Sequence, residues 1–163
     1  MRLFEEFEDE HRLVDAVAGS LIRFSESGAE GAIPAEDVAE FVHFFRVFVA
    51  GFHHEREEQT LFPALVERAE VPADRGPLPA IEADHREAAK LVSELEENAG
   101  DLRAAADTAR RLAHHLWEHV DKENSVLLPE SMDRLRRNGV IVLEGRAPTR
   151  DDEAARELGE RLV

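Results

Sequence analysis

The chain has 163 residues, a length that favours one domain with a sizeable core over two full domains. Its 36 acidic and 20 basic residues give a formal net charge of −16, which would repel a nucleic-acid backbone or an anionic membrane. The chain has no cysteine, so any metal must be held by nitrogen and oxygen. The start, MRLFEEFEDE, is too acidic for a signal peptide, and no stretch is apolar enough to span a membrane. We therefore expect a cytoplasmic protein.

Helical periodicity begins at the amino terminus. Over about residues 3–25, apolar residues recur at steps of three and four, and His11 takes one place in their stripe. The stripe consists of Phe4, Phe7, His11, Val14, Ala18 and Leu21. A predicted loop, SGAEGAIP, follows, and Pro34 suits the first turn of a second helix. This second helix is predicted over about residues 35–70, with a bend at Pro63, and ends where VPADRGPLP begins.

Two more helices complete the predicted architecture. The third covers about residues 78–98, and its stripe consists of Leu78, Ile81, His85, Ala88, Val92 and Leu95. The fourth covers about residues 101–128, and its face consists of Ala105, Ala109, Leu112, His115, His119, Glu123 and Val126. Short connections between long helices favour an all-α, up-down-up-down antiparallel four-helix bundle.

We place this bundle in residues 1–130. Residues 131–163 form a C-terminal extension, either part of the same domain or a tail. Its last segment has the pattern of a short amphipathic helix capped near Thr149 or Asp151. We assign no chemistry to it.

Two stretches repeat one polar layout. HHEREEQTLFPAL begins at His53 and HVDKENSVLLPES begins at His119, and each contains a His-x-x-x-Glu pair that ends in Glu57 or Glu123. Positions i and i+4 lie on the same face of a helix, so each pair aims an imidazole and a carboxylate at one point. One such pair alone is usually an ordinary surface pair, but here the layout occurs twice.

The first and third predicted helices contribute one histidine each, His11 and His85, in apolar stripes where leucine would be expected. A single histidine in such a place is more often a hydrogen-bonded core residue than a ligand. Burial of four imidazoles and two carboxylates together would, however, be very unfavourable without a counter-charge. A pair of divalent cations is therefore favoured over a metal-free polar core. The donor set suits iron or manganese, with zinc possible, and disfavours magnesium and calcium.

The order His11, His53-x-x-x-Glu57, His85, His119-x-x-x-Glu123, with LFP and LLP after the longer motifs, resembles the hemerythrin-like, or HHE cation-binding, domain family. The resemblance covers about residues 3–130. It implies a four-helix bundle that holds two iron ions in a non-haem centre with an oxo or hydroxo bridge. The four histidines would be terminal ligands, and Glu57 and Glu123 would bridge the ions.

Two positions depart from the oxygen-carrying members of that family. Ala89 stands where they have a fifth histidine, and Asn124 stands where they have an aspartate. The resemblance therefore does not extend to reversible oxygen carriage, and the reduced centre is expected to react with O2 without releasing it intact. The ligand set is similar to that of iron–sulfur cluster repair di-iron proteins, whose cysteine-bearing segment this chain lacks.

Other polar residues are weaker candidates. His54 and Glu58 form an alternative i,i+4 pair, but the proline offset favours His53 and Glu57, and we interpret His54 and Glu58 as surface residues or as residues behind the ligands. His115 is a candidate fifth ligand, although a hydrogen-bond donor behind the ligands or a buried polar residue is favoured. His43 and His114 are expected to be exposed. A ferritin-like centre built on Glu8-x-x-His11 and Glu82-x-x-His85 would leave both His-x-x-x-Glu pairs unexplained.

Three functions are compatible with such a centre. The favoured one is binding or sensing of a small ligand such as O2 or NO. The alternative is a redox enzyme that reduces peroxide or NO or repairs iron–sulfur clusters, and the third is a metal-storage or structural bundle. The sequence does not decide whether the protein is an enzyme, and it indicates neither nucleic acid nor membrane as a partner.

Overall fold

The structure is a computed structural model that describes residues 1–27 and 35–163. Within these ranges the chain is all-α and contains five helices, which confirms the predicted class. They are α1 (Arg2–Ser27), α2 (35–69), α3 (Pro77–Glu97), α4 (102–137) and α5 (Arg150–Leu162). The predicted loop and Pro34 lie outside the described residues, except for Ser27 at the end of α1. No helix in the described ranges has the length and apolarity needed to cross a bilayer.

The apolar stripes of α1 and α3 are confirmed. Every residue of the two predicted stripes is buried, including His11 and His85. The interruption of each stripe by one imidazole therefore places a polar ring inside the bundle.

Both of the remaining long helices contain π-helical segments, in which the backbone hydrogen bonds run from residue i+5 to residue i. In α2 these segments are Phe45–His54 and Glu57–Leu61, and in α4 the segment is Glu123–Leu127. Pro63 and Pro129 each follow such a segment by two residues and lie inside a continuous helix. A proline lacks the N–H that an α-helix needs, so it is best tolerated where the regular ladder of hydrogen bonds has already changed.

The π-helical segment of α4 changes which residues face the core. Val126, predicted on the inner face, is 54% exposed, while Leu127 is 6% exposed and packs in the core. The prediction was wrong at Val126 because it assumed α-helical periodicity across a turn that contains one extra residue. Beyond this turn α4 continues through Pro129 to Arg137.

A polar layer divides the core into two apolar clusters. One cluster contains, among others, Val14, Phe48, Val92 and Leu112, and the other contains Phe7, Leu65, Ile81 and Leu127. In α1, α2 and α3 the histidine motif lies between the residues of the two clusters along the chain, and in α4 Glu123 does. The helices pack as neighbours in the pairs α1–α4, α4–α3, α3–α2 and α2–α1. The bundle therefore encloses the polar layer on all sides.

Helix α5 packs on α1 and α2. It begins with a capping box, in which the Thr149 hydroxyl accepts from the backbone N–H of Asp152 and the Asp152 carboxylate accepts from the backbone N–H of Thr149. This is one of the two predicted cap positions. Gly159 lies directly against the ring of Phe44, which is fully buried in α2. The absence of a side chain at Gly159 is what allows the two helices to approach.

We expect Gly159→Ala to destabilise the protein. A methyl group there would overlap the Phe44 ring, and overpacking of this kind costs about 1–3 kcal/mol. Alanine regains at most about 1 kcal/mol of helix propensity, so the net effect is a loss of stability. Urea unfolding should show a lower midpoint for Gly159→Ala than for Gly100→Ala, where no atom of the described residues lies near the added methyl group. Equal midpoints would show that α5 does not pack on α2 in solution.

Candidate metal centre

The six candidate ligands lie in one layer of the bundle. Each is buried, with an exposure of at most 6%, and together they come from α1, α2, α3 and α4. They are His11, His53, Glu57, His85, His119 and Glu123. Two groups of four, each with its donor atoms within 4.8 Å of one another, include all six. One group joins His11 and His53 to the two glutamates, and the other joins His85 and His119 to the same two glutamates.

The donor atoms approach each other closely in the first group. His11 Nε2 lies 3.0 Å from Glu123 Oε2 and 3.0 Å from His53 Nε2. His53 Nε2 lies 3.8 Å from Glu57 Oε2. The Nε2 atoms of His11 on α1 and His53 on α2 therefore lie beside the carboxylates of Glu57 and Glu123.

The second group has the same layout. His85 Nε2 lies 3.3 Å from Glu57 Oε2 and 3.9 Å from Glu123 Oε1. His119 Nε2 lies 3.3 Å from Glu123 Oε2. The two carboxylates thus stand between two pairs of imidazoles.

These short distances do not correspond to satisfied hydrogen bonds. All four carboxylate oxygens of Glu57 and Glu123 are buried without a hydrogen-bond partner among the described residues, and so are His85 Nε2 and both ring nitrogens of His119. A buried polar atom without a partner is costly, and a buried carboxylate is more costly still. Divalent cations would satisfy these atoms together, so the donor set fits a metal centre.

The outer nitrogens of three histidines have their own partners. His11 Nδ1 lies 2.7 Å from Asn124 Oδ1, and His53 Nδ1 lies 2.7 Å from Glu10 Oε2. His85 Nδ1 lies 2.6 Å from Glu58 Oε1. Because an amide oxygen or a carboxylate only accepts, each Nδ1 must donate, which leaves the Nε2 lone pair of a neutral ring directed at the centre. This is the tautomer that a metal ligand requires.

The contact to Glu10 continues to a buried arginine. Arg56 is 2% exposed, its Nη1 donates to Glu10 Oε1 at 2.5 Å, and its Nη2 donates to Glu6. The guanidinium also lies over the Phe52 ring, with 4.4 Å between its central carbon and the ring centroid. Burial tends to raise the pKa of Glu10, but His53 and Arg56 outweigh burial and lower it. Glu10 therefore stays ionised and can hold the His53 proton.

In the metal-free centre, protons supply part of the missing positive charge. Burial tends to lower the pKa of His11, but the Glu123 carboxylate outweighs burial and raises it to about 9. For His85, Glu123, Glu57 and Glu58 together outweigh burial and raise the pKa to about 11. The pKa of His119 is lowered, chiefly by burial. Protons on His11 and His85 would therefore balance part of the buried negative charge when no cation is bound.

The weaker candidate ligands from the sequence lie at different positions relative to the donor groups. His54 is 4% exposed, so it does not lie at the surface, and it forms a third group with His85 and His119. Glu58 lies behind the centre, as the partner of His85. His115 contacts the backbone carbonyl of Asp84 at 2.8 Å and belongs to none of the donor groups.

The structure also tests the residues that were predicted to lie outside the centre. His43 and His114 are exposed, as predicted. Glu8 is exposed, and neither Glu8 nor Glu82 belongs to a donor group among the described residues, which removes the basis of the ferritin-like alternative.

Sequence reasoning missed Glu10, Asn124 as a partner of His11, and Arg56. Glu10 and Asn124 are each adjacent in sequence to a candidate ligand, and this adjacency was the available signal. Arg56 is also adjacent to a candidate ligand, Glu57, but an arginine between two glutamates in a helix is usually exposed, so its burial was not predictable from this adjacency.

We expect the stability of the metal-free protein to fall as the pH rises from about 7 to about 9. The folded-state pKa values of His11 and His85 are raised above the ordinary 6.5, so their contribution is complete below pH 6.5 and is lost as the pH rises through the folded-state values. Urea unfolding in the presence of a chelator measures this decline. A His11→Gln variant should show a shallower decline, and stability that rises over this interval would contradict the assignment.

The hemerythrin HHE cation-binding domain is the family whose sequence model matches the chain, over residues 2–131. The match includes all six candidate ligands and leaves out α5. No curated protein and no solved structure matched the chain. The family match covers most of the sequence and the whole polar layer. The chain therefore belongs to the hemerythrin HHE cation-binding domain family.

Proposed function

We propose that this chain is a non-haem di-iron protein that binds or senses a small ligand such as O2 or NO. The six ligands are His11, His53, Glu57, His85, His119 and Glu123, held in residues 1–130 by an antiparallel up-down-up-down bundle of α1 to α4. Residues 131–163, which begin with the last turns of α4 and include α5, form an extension that packs on this bundle. Manganese and zinc are alternative metals, and peroxide is an alternative ligand.

One observation supports two ions rather than one. Glu57 and Glu123 belong to both groups of four donors, whereas the histidines of the two groups differ. A carboxylate has two oxygens and can bind one cation with each, so a pair of shared carboxylates fits two neighbouring cations. His11 and His53 would hold one ion and His85 and His119 the other, so each ion would have nitrogen and oxygen donors.

Iron would supply redox chemistry and a position for a diatomic ligand, and the protein controls what surrounds that position. Glu10, Glu58 and Asn124 fix the ring orientations from behind. The apolar clusters on both sides of the layer restrict the access of water. Such a site is suited to holding a small, weakly polar molecule.

The location of the polar partners favours binding over turnover. Reduction of NO or peroxide consumes protons, so an enzyme needs a proton donor beside the bound molecule. The contacts of Glu10, Glu58 and Asn124 are to Nδ1 atoms, on the far side of the rings from the centre. A redox enzyme remains the alternative to be tested.

We expect protein reconstituted anaerobically with ferrous iron to retain about two equivalents after desalting, as measured by metal analysis. Glu123→Gln should weaken the binding of both ions, because it removes a charge that both share. His53→Ala should weaken mainly one ion, and the exposed His114→Ala should change neither. Wild-type protein that is folded but retains no metal would refute the di-metal proposal.

We expect the reduced, iron-loaded protein to bind NO without consuming it. Anaerobic titration should give a saturable change in the optical spectrum, and flushing with inert gas should restore the initial spectrum. Gas analysis of the headspace in the presence of excess reductant should find no nitrous oxide. Sustained production of nitrous oxide would instead support the redox enzyme, and the absence of any spectral change would exclude both.

A further inference from the structure

We propose that the connection between α4 and α5 holds the centre from outside, with Arg146 as a positioning residue for the candidate ligand His53. This inference rests on the proposed function, because it takes His53 as a metal ligand. The connection, residues 138–149, lies beyond the matched family domain, which ends at residue 131. Its contacts with α2 are therefore a property of this chain that the family match does not explain.

Arg146 binds α2 at the turn that carries His53. Its Nη2 donates to the backbone carbonyl of Gly51 at 2.6 Å and to the carboxylate of Glu55 at 2.9 Å. Its guanidinium also lies over the ring of Phe52, with 5.0 Å between the central carbon and the ring centroid. These residues lie on both sides of His53 along the chain. One side chain from the connection therefore fixes the backbone from which the His53 ring projects.

The start of α5 fixes Arg146 in turn. Arg146 Nη1 donates to Asp152 Oδ2 at 2.6 Å, and the same oxygen accepts from the backbone N–H and the hydroxyl of Thr149. A guanidinium presents its donors as a rigid planar fork, so it can bind a carbonyl and two carboxylates at once. A lysine has one nitrogen and cannot reach the same three groups in this geometry. Arg146 therefore joins the capping box of α5 to α2.

Gly145 places the connection against Arg56. A Cβ atom at residue 145 would lie 2.9 Å from Arg56 Nε and 3.2 Å from Leu3 Cδ1. Buried Arg56 donates to Glu10, which accepts from His53 Nδ1 at 2.7 Å. The space that the glycine leaves is thus occupied by the side chain that holds Glu10 behind the ligand.

Two sets of contacts from the connection converge on His53, one through the backbone of α2 and one through Arg56 and Glu10. The acceptor behind a ligand ring sets the ring orientation and the basicity of the ligand, and its loss typically weakens metal binding about 10–100-fold. Arg146 and Gly145 act through these groups rather than on the ring itself. We therefore expect an effect at the lower end of this range, about tenfold.

The first measurement uses metal-free protein, with the histidine rings labelled with ¹⁵N for NMR. In wild type the Nδ1 proton of His53 is held by Glu10 and should exchange slowly with water. Arg146→Gln removes the fork, and Gly145→Ala displaces Arg56 without a change of charge. Both variants should make this exchange several-fold faster.

The second measurement is the affinity for ferrous iron, determined by anaerobic competition with a chelator. Arg146→Gln and Gly145→Ala should each lose about tenfold in affinity at one ion, the one beside His53, and little at the other. Arg146→Lys keeps the charge but not the fork, so its affinity should lie nearer to that of Arg146→Gln than to that of wild type.

Two control variants separate positioning from general stability. Arg156→Gln removes a cation that lines the same cavity of about 480 Å³ as Arg146, but the Arg156 side chain bonds Glu160 on its own helix. Gly159→Ala weakens the packing of α5 on α2 away from the connection. Both controls should keep the wild-type exchange rate of the His53 proton and the wild-type iron affinity, even where the urea midpoint falls.

The outcomes distinguish this inference from the proposed function. A His53 proton that exchanges at the wild-type rate in both Arg146→Gln and Gly145→Ala would overturn the inference, and so would unchanged iron affinity in these variants. Equal losses in Gly159→Ala and Arg146→Gln would assign the connection to stability alone and would also overturn it. Wild type that retains no iron would refute the proposed function, and the proton exchange would still decide whether the connection holds His53.

Discussion

The fold depends on positive charge that balances the negative charge of two buried carboxylates. Glu57 and Glu123 are fully buried, and none of their oxygens has a hydrogen bond to the described residues. An ionised carboxylate in such a place is tolerated only beside positive charge, whether from protonated imidazoles or from cations. The four long helices must therefore meet where their histidines surround these two residues. The apolar clusters on both sides then pack around a layer whose position is fixed by charge.

The two halves of the centre are similar in their inner donors and different in their outer partners. His11 has a neutral amide behind it, whereas His53 has a carboxylate that is itself bound by buried Arg56. On the other side, His119 Nδ1 lies 3.6 Å from Asp84 Oδ2, beyond a normal hydrogen bond, and that oxygen accepts from Lys122 at 2.7 Å. Partners of this kind set ring orientation and ligand basicity. The two stretches that repeat one polar layout thus produce halves whose histidines have different partners.

The sequence was informative where the helices are regular. The stripes of α1 and α3 follow the α-helical period throughout, so their buried residues, including His11 and His85, were predictable from spacing alone. The errors fall where the period changes. Val126 and His54 both lie in π-helical segments. The sequence contains no pattern that predicts a helical turn with one extra residue. The partners of the histidines were also difficult to predict, because Glu10 and Arg56 meet across two helices and neither residue type is usually buried.

The π-helical segments next to the prolines have a consequence for how this sequence can change in length. Each such turn contains one residue more than the α-helical turn it replaces. Deletion of one residue between Glu123 and Pro129 would leave an intact helix, but everything beyond the deletion would rotate by about 100° relative to the centre. Leu135 would then leave the core, and a polar neighbour would enter it. Insertions and deletions should therefore accumulate in the connections between helices, while the distance from each glutamate to its proline stays constant.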